Sequence, residues 1–291
     1  MFPIILAHGI ARFDILREQV RDELDLPDNP LDDQLQYFKN VRTHLESNGF
    51  SKVVNTNVDF AGSLVTRADQ LKEDVERVLG ETGAEKVHII AHSMGGLDAR
   101  MMIVNLGMAE KVASLTTIGT PHLGTVLADR VLGFGGKLLI KILHNAVKTN
   151  LDGFKDLTTA SCEAFNRRAM DTEAKNNVFY QVYSSYEEGD DMFLPLFGSW
   201  AFIRAFDGRN DGLVPVRSQM WQSELIASDG TRKQITQHEF PFRADHLNQT
   251  GWWDLEEALK PSVGGNLIQQ KLTYELNVKN VYLEIARNLP H

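Results

Sequence analysis

A chain of 291 residues, 43% hydrophobic and 24% charged, is long enough to bury a sizeable core. A net charge of −9 and a pI near 5.5 argue against nucleic acid as a partner and against electrostatic docking on anionic membranes, while leaving an uncharged lipid substrate open. A single cysteine, Cys162, rules out an intrachain disulfide and a thiolate metal site, and no apolar run reaches the roughly 18 residues of a membrane-spanning helix.

In chain order, residues 2–7 read as a buried strand ended by His8-Gly9, with none of the basic and apolar regions of a signal peptide. A trimmed mature enzyme with an added Met would look the same, so the compartment stays open. Residues 10–30 carry Pro27, Asp28, Asn29 and Pro30 and predict a loop with a short helix. Over 31–48, Leu35, Phe38, Val41 and Leu45 fall at helical spacing before Asn48-Gly49. Residues 53–60 predict a second strand, and 64–79 a helix with Leu71, Val75, Val78 and Leu79 on one stripe. A strand at 87–91, a helix to about Met108 and a strand at 112–118 follow. This alternation predicts an α/β protein: βαβ units, a mostly parallel sheet and helices on both faces. The rhythm breaks over 123–177, where residues 124–147 form two apolar halves about Gly133-Phe134-Gly135-Gly136. That stretch is expected to be a cap or lid inserted in one domain spanning 1–291. Strands are predicted at 177–184 and 201–206, a hairpin around Ser228-Asp229-Gly230, and helices at 252–259 and 267–289.

The chemistry is written in Ala91-His92-Ser93-Met94-Gly95-Gly96. A serine between a short apolar run and a helix, with small residues two before and two after, fits a nucleophile elbow. The flanking backbones there pass too close for larger side chains, and the helix N-terminus faces a developing oxyanion. Ala91 stands where glycine is commoner. A serine needs a base, and the base an orienting acid. In chain order after Ser93, His246 in a loop is favoured as base over His238, which reads as a strand or surface histidine. Asp211 in Asn210-Asp211-Gly212 is favoured as acid over Asp207, which suits a turn or cap. Asp190 and Asp191 read as a solvated acidic loop. The oxyanion donors are expected to be the backbone N–H groups of Met94 and Ile10, with His8 in structural support.

Five motifs in order carry a resemblance: 3–9 (Pro-Ile-Ile-Leu-Ala-His-Gly), 91–96, 119–124 (Gly-Thr-Pro-His-Leu-Gly), 210–214 (Asn-Asp-Gly-Leu-Val) and 245–248 (Asp-His-Leu-Asn). The chain resembles the bacterial triacylglycerol lipases of the Pseudomonas, Burkholderia and Proteus group. The resemblance implies an α/β-hydrolase fold with a helical lid, and ester hydrolysis through an acyl-enzyme. It implies Ser93 as nucleophile, Asp211 as acid, His246 as base and a lipid ester as substrate. It also implies a structural calcium near the histidine, at Asp191 or Asp190 and Asn248. Asn248 stands where relatives carry aspartate, and one negative charge fewer weakens a site for a hard cation. The wide Asp211–His246 gap implies an added hairpin. The competing classes are a non-catalytic lipid- or protein-binding relative and an acyltransferase using the same residues.

Overall fold

In the computed structural model, described for residues 1–10, 36–60, 62–132, 152–252 and 267–290, the sheet grows outward from the strand that carries the serine turn. β3 (Val87–His92) is flanked by β1 (Ile4–Ala7) and β4 (Val112–Ile118). β2 (Val53–Asn55) lies outside β1, and β5 (Phe179–Ser184) and β8 (Thr236–Glu239) lie outside β4, giving the order β2-β1-β3-β4-β5-β8. Every pairing is parallel. β6 (Glu224–Ile226) and β7 (Arg232–Gln234) form a separate antiparallel hairpin, the one expected around Ser228-Asp229-Gly230.

Alternation within the central strands splits the core into two layers. Ile4, Leu6 and Ile90 face α1 (Val41–Ser47) and α9 (Leu267–Arg287), while Ile5, Ala7, Ile89 and Ala91 face α2 (Leu64–Thr82) and α3 (Gly95–Asn105). Both faces are covered, so the inner strands are continuous apolar runs. α2 starts at Ser63, whose side chain accepts from Thr66 N–H, passes through Gly80 and ends at Gly83 in the left-handed region.

Two expectations need correction. Residues 201–206 are not a strand but part of helix α7 (Leu194–Asp207). A short apolar run carries no period of its own, and here Pro195 in the first turn and buried Leu196, Ser199 and Ile203 impose the helical one. The last sheet strand is instead the more polar β8, which joins β5 directly. The strand foreseen at 53–60 stops at Asn55, because the next backbone donors turn to α2: Asn57 N–H donates to Asp74 Oδ2 and Asp59 N–H to Gln70 Oε1.

Of the region 123–177, α4 (Val126–Leu132), α5 (Asp152–Asp156) and α6 (Thr159–Lys175) are described. Asp129 on α4 accepts from Thr159 N–H and Oγ1 at the start of α6. α6 is fastened to α3 by the buried Arg100–Glu173 pair, 2.7 Å, with the guanidinium also over the Trp221 ring. These helices are therefore built into the body of the protein. The second apolar half of 124–147, the short helix foreseen within 10–30, and most of the helix foreseen at 252–259 lie outside the described residues.

Candidate active site

β3 ends in a turn that local sterics alone make costly. Ser93 has φ +56°, the left-handed region that a non-glycine residue rarely occupies. The strain persists because the surroundings over-determine it: Ser93 N–H donates to Ile118 O, and Ser93 O accepts from Gly96 N–H and Thr120 Oγ1. The two glycines that follow are steric necessities. A Cβ at Gly95 would lie 2.4 Å from the Ala7 carbonyl oxygen, and one at Gly96 would lie 2.3 Å from Thr120 Oγ1. A Cβ at Gly9 would meet Ser93 Cβ at 2.5 Å, so the loop after β1 lies directly against the serine.

His246 comes from the loop after β8 and Asp211 from the loop after α7. His246 N–H donates to the Asp211 carbonyl at 2.8 Å, joining the two loops through their backbones. The side chains complete a chain of contacts. His246 Nδ1–H donates to Asp211 Oδ2 at 2.7 Å, and Ser93 Oγ–H donates to His246 Nε2 at 2.8 Å. The carboxylate fixes that tautomer, because it can only accept. Asp211 is fully buried, yet its charge is matched: Oδ1 accepts from Leu213 and Val214 N–H at 3.0 and 2.8 Å, and Oδ2 also accepts from Gln249 Nε2–H at 2.9 Å.

The rejected alternatives have other partners. Asp207 is paired with Arg217, and His238 stacks on Tyr183. His122 is stacked on Trp221 and bonded to Thr117. His144 and His291 lie outside the described residues. Met94 and Ile10 are both buried, and no acceptor takes either N–H among the described residues. His8 does not reach the reacting atoms. Its Nδ1–H donates to Gly9 O, its ring stacks on Phe60, and burial and Arg67 hold its pKa at about 3.

Sequence reasoning missed what holds this loop. Arg67 is fully buried and pairs with Asp98 on α3 at 2.6 Å, while donating to His8 O at 2.7 Å and Asp59 O at 2.5 Å. One signal was available: Arg67 occupies the inward stripe of α2 with Leu64 and Leu71, where a charge without a partner is untenable. The expected calcium residues are placed apart in role. Asp191 is half-buried on the loop after β5, and Asn248 is buried beside the histidine loop. Asp245 Oδ2 accepts from Phe193 N–H and its Oδ1 from Leu247 and Asn248 N–H, so protein hydrogen bonds already join these loops. Among the described residues no group of three or more His, Cys, Asp or Glu is placed to hold a metal ion, and Asp191 with Asn248 offers one carboxylate and one neutral amide.

A serine, histidine and aspartate in contact at the ends of a parallel sheet define a hydrolase of the α/β-hydrolase class. Residues 34–162 match the family model of the PGAP1-like alpha/beta domain. The chain is 28% identical to triacylglycerol lipase 2 of Saccharomyces cerevisiae over 99% of its own length and 90% of that enzyme. It is 32% identical to a triacylglycerol lipase of Pseudarthrobacter phenanthrenivorans over 57% of its length, a match spanning about half (53%) of that relative. Among solved structures, mature Bacillus licheniformis lipase superposes with a TM-score of 0.60 at 17% identity, covering 84% of each chain. The chain has the α/β-hydrolase fold and is similar in sequence to triacylglycerol lipases.

Proposed function

We propose that the protein hydrolyses carboxylic esters of lipids, acylglycerols among them, through an acyl-enzyme on Ser93. The observation that carries this reading is the unbroken Ser93–His246–Asp211 chain at 2.8 and 2.7 Å, with Ser93 held at a positive φ. His246 Nε2 takes the Ser93 hydroxyl proton as Oγ attacks the ester carbonyl carbon. Asp211 keeps the ring in that tautomer and balances the imidazolium. The carbonyl electron pair moves onto oxygen, where the N–H groups of Met94 and Ile10 receive it. Collapse expels the alcohol, protonated by His246. Water then repeats the sequence on the acyl-enzyme and regenerates Ser93. The lipid character of the substrate rests on similarity to the named lipases and on a negatively charged protein that repels no neutral ester. Among the described residues no helix is long and apolar enough to cross a membrane.

The test is hydrolysis of p-nitrophenyl butyrate, p-nitrophenyl palmitate and emulsified triolein by wild type and Ser93→Ala. Wild type is expected to cleave all three, and the variant to lose about 10⁴-fold or more in kcat. Equal rates in the two proteins would refute the mechanism. Activity on butyrate without triolein would narrow the protein to an esterase. Failure of Ser93 to react with a fluorophosphonate would favour a non-catalytic binder.

A further inference from the structure

We propose that Gln249 is a positioning residue for Asp211, and that it ends a fixed chain, Tyr37–His92–Gln249, running behind the catalytic residues. This rests on the assignment of Ser93, His246 and Asp211 given above.

The chain can be written donor by donor. The Asp211 carboxylate only accepts, so the Gln249 group 2.9 Å from its Oδ2 is the amide Nε2–H. Gln249 Oε1 then faces His92 Nε2 at 3.0 Å and must accept from it. A neutral His92 protonated on Nε2 leaves Nδ1 as an acceptor, and the Tyr37 hydroxyl donates there at 2.6 Å. His92 is neutral because burial, and then His246 beside it, hold its pKa well below the ordinary histidine value. The two imidazoles lie 4.6 Å apart between centroids, and a cation at His92 would oppose the imidazolium formed on His246. All three dipoles therefore point the same way, positive end toward Asp211, and each strengthens the next.

Gln249 is itself held still. It is fully buried, its N–H donates to Asp245 O at 3.1 Å, and its carbonyl accepts from the Tyr282 hydroxyl at 3.0 Å. Gly119, at φ +61°, yields the space for its amide: a Cβ there would fall 2.2 Å from Gln249 Oε1. The two oxygens of Asp211 are thus anchored differently. Oδ1 is held by its own loop, whereas Oδ2 is shared between His246 and Gln249. Without the amide, Oδ2 keeps one donor, and the carboxylate can swing away from the ring it must orient. With one donor fewer to share its charge, the carboxylate also draws more strongly on the Nδ1 proton of His246.

The experiment compares wild type, Gln249→Met, Gln249→Glu and His92→Phe by kcat, KM and the pH profile of kcat/KM on p-nitrophenyl butyrate, with fluorophosphonate labelling of each. Loss of one charge-assisted hydrogen bond predicts about a tenfold fall in kcat for Gln249→Met with little change in KM, and an acid limb moved to higher pH. Gln249→Glu keeps the shape. While its new carboxyl is protonated it can both donate and accept, so activity holds at the acid end. As it ionises beside Asp211 activity falls, creating an alkaline limb that wild type lacks. The combined Gln249→Met and His92→Phe variant should lose less than the product of the single losses, because His92 acts through Gln249. Gln249→Met with unchanged kcat and acid limb, or Gln249→Glu lowered by one factor at every pH, would show that Gln249 only packs. Should Gln249→Met not fold, the shape-preserving Gln249→Glu profile decides alone. If wild type itself fails to label, it is the triad assignment that has failed; if wild type and Gln249→Met label at equal rates, it is the positioning role.

Discussion

Acidification from pH 7 to pH 5 should lower the stability of this protein, through histidines that do no catalysis. His8, His92 and His122 are 4%, 1% and 1% exposed and have depressed pKa values, about 3 for His8 and well below 6.5 for the other two. Burial is the first cause in each case, followed by a neighbouring cation or titratable ring: Arg67, His246 and Arg100 respectively. Folded, His8 binds almost no proton at pH 5; unfolded, it titrates near 6.5 and binds one. A depressed folded-state pKa contributes stability that is present above pH 6.5 and lost as the pH falls. Integrating the proton uptake of His8 between pH 7 and 5 yields about 2 kcal/mol, and His92 and His122 act in the same direction. Asp98 opposes this. Burial raises its pKa from 3.8 to about 6, so its contribution is complete below 3.8 and lost as pH rises through 6, and acidification recovers about 1 kcal/mol. His8 outweighs Asp98 by about 1 kcal/mol, and the two other histidines enlarge the loss, against a total of about 5–15 kcal/mol for a typical domain. Urea unfolding at pH 7, 6 and 5, followed by tryptophan fluorescence, measures it. Stability unchanged or raised at pH 5 would mean that these histidines charge within the fold, and the burial reasoning would be wrong.

Other perturbations separate the supports of the site. Arg67→Met strands the Asp98 carboxylate and the His8 carbonyl in the core, and should lower unfolding free energy by about 3–5 kcal/mol, with much of that recovered by adding Asp98→Leu. Gly95→Ala forces its new Cβ against the Ala7 and His8 carbonyls at the end of β1, costing about 1–3 kcal/mol by thermal melting, and kcat should fall as the Gly9–Ile10 loop shifts. Asp211→Asn retains the loop bonds but loses the correct His246 tautomer, so kcat should drop about 10⁴-fold with the melting temperature little changed. Treatment with EDTA should leave activity and melting temperature unaltered; a loss reversed by calcium would reinstate a site at Asp191 and Asn248.

Ser93 was legible in the chain because its signals are adjacent: an apolar strand, a serine, two glycines and a helix within a dozen residues. So were the parallel sheet and its two helical layers, since the alternation of periods 2 and 3.6 is local. The ambiguous segments were those where local chemistry is silent. Residues 201–206 can satisfy either period, and only burial of Leu196, Ser199 and Ile203 against the body makes them helix. Polar Thr236–Glu239 has a weak strand pattern and becomes the sheet's edge because β5 offers unpaired backbone groups.

The choice of Asp211 over Asp207 shows where sequence stops. Asp207 ends α7 and Asp211 lies in the loop that follows, four residues on; one meets Arg217 and the other the imidazole only once the chain has closed. The linear order of residues thus determined the chemistry available, a strained serine with a histidine and a carboxylate downstream. Tertiary structure decided which groups share a hydrogen bond and which charges leave water. Arg67 with Asp98, Tyr37 with His92, and His92 with Gln249 come from positions 31, 55 and 157 residues apart. No local pattern encodes those pairings, because they form only where burial removes each polar atom from water and the fold brings its partner to it.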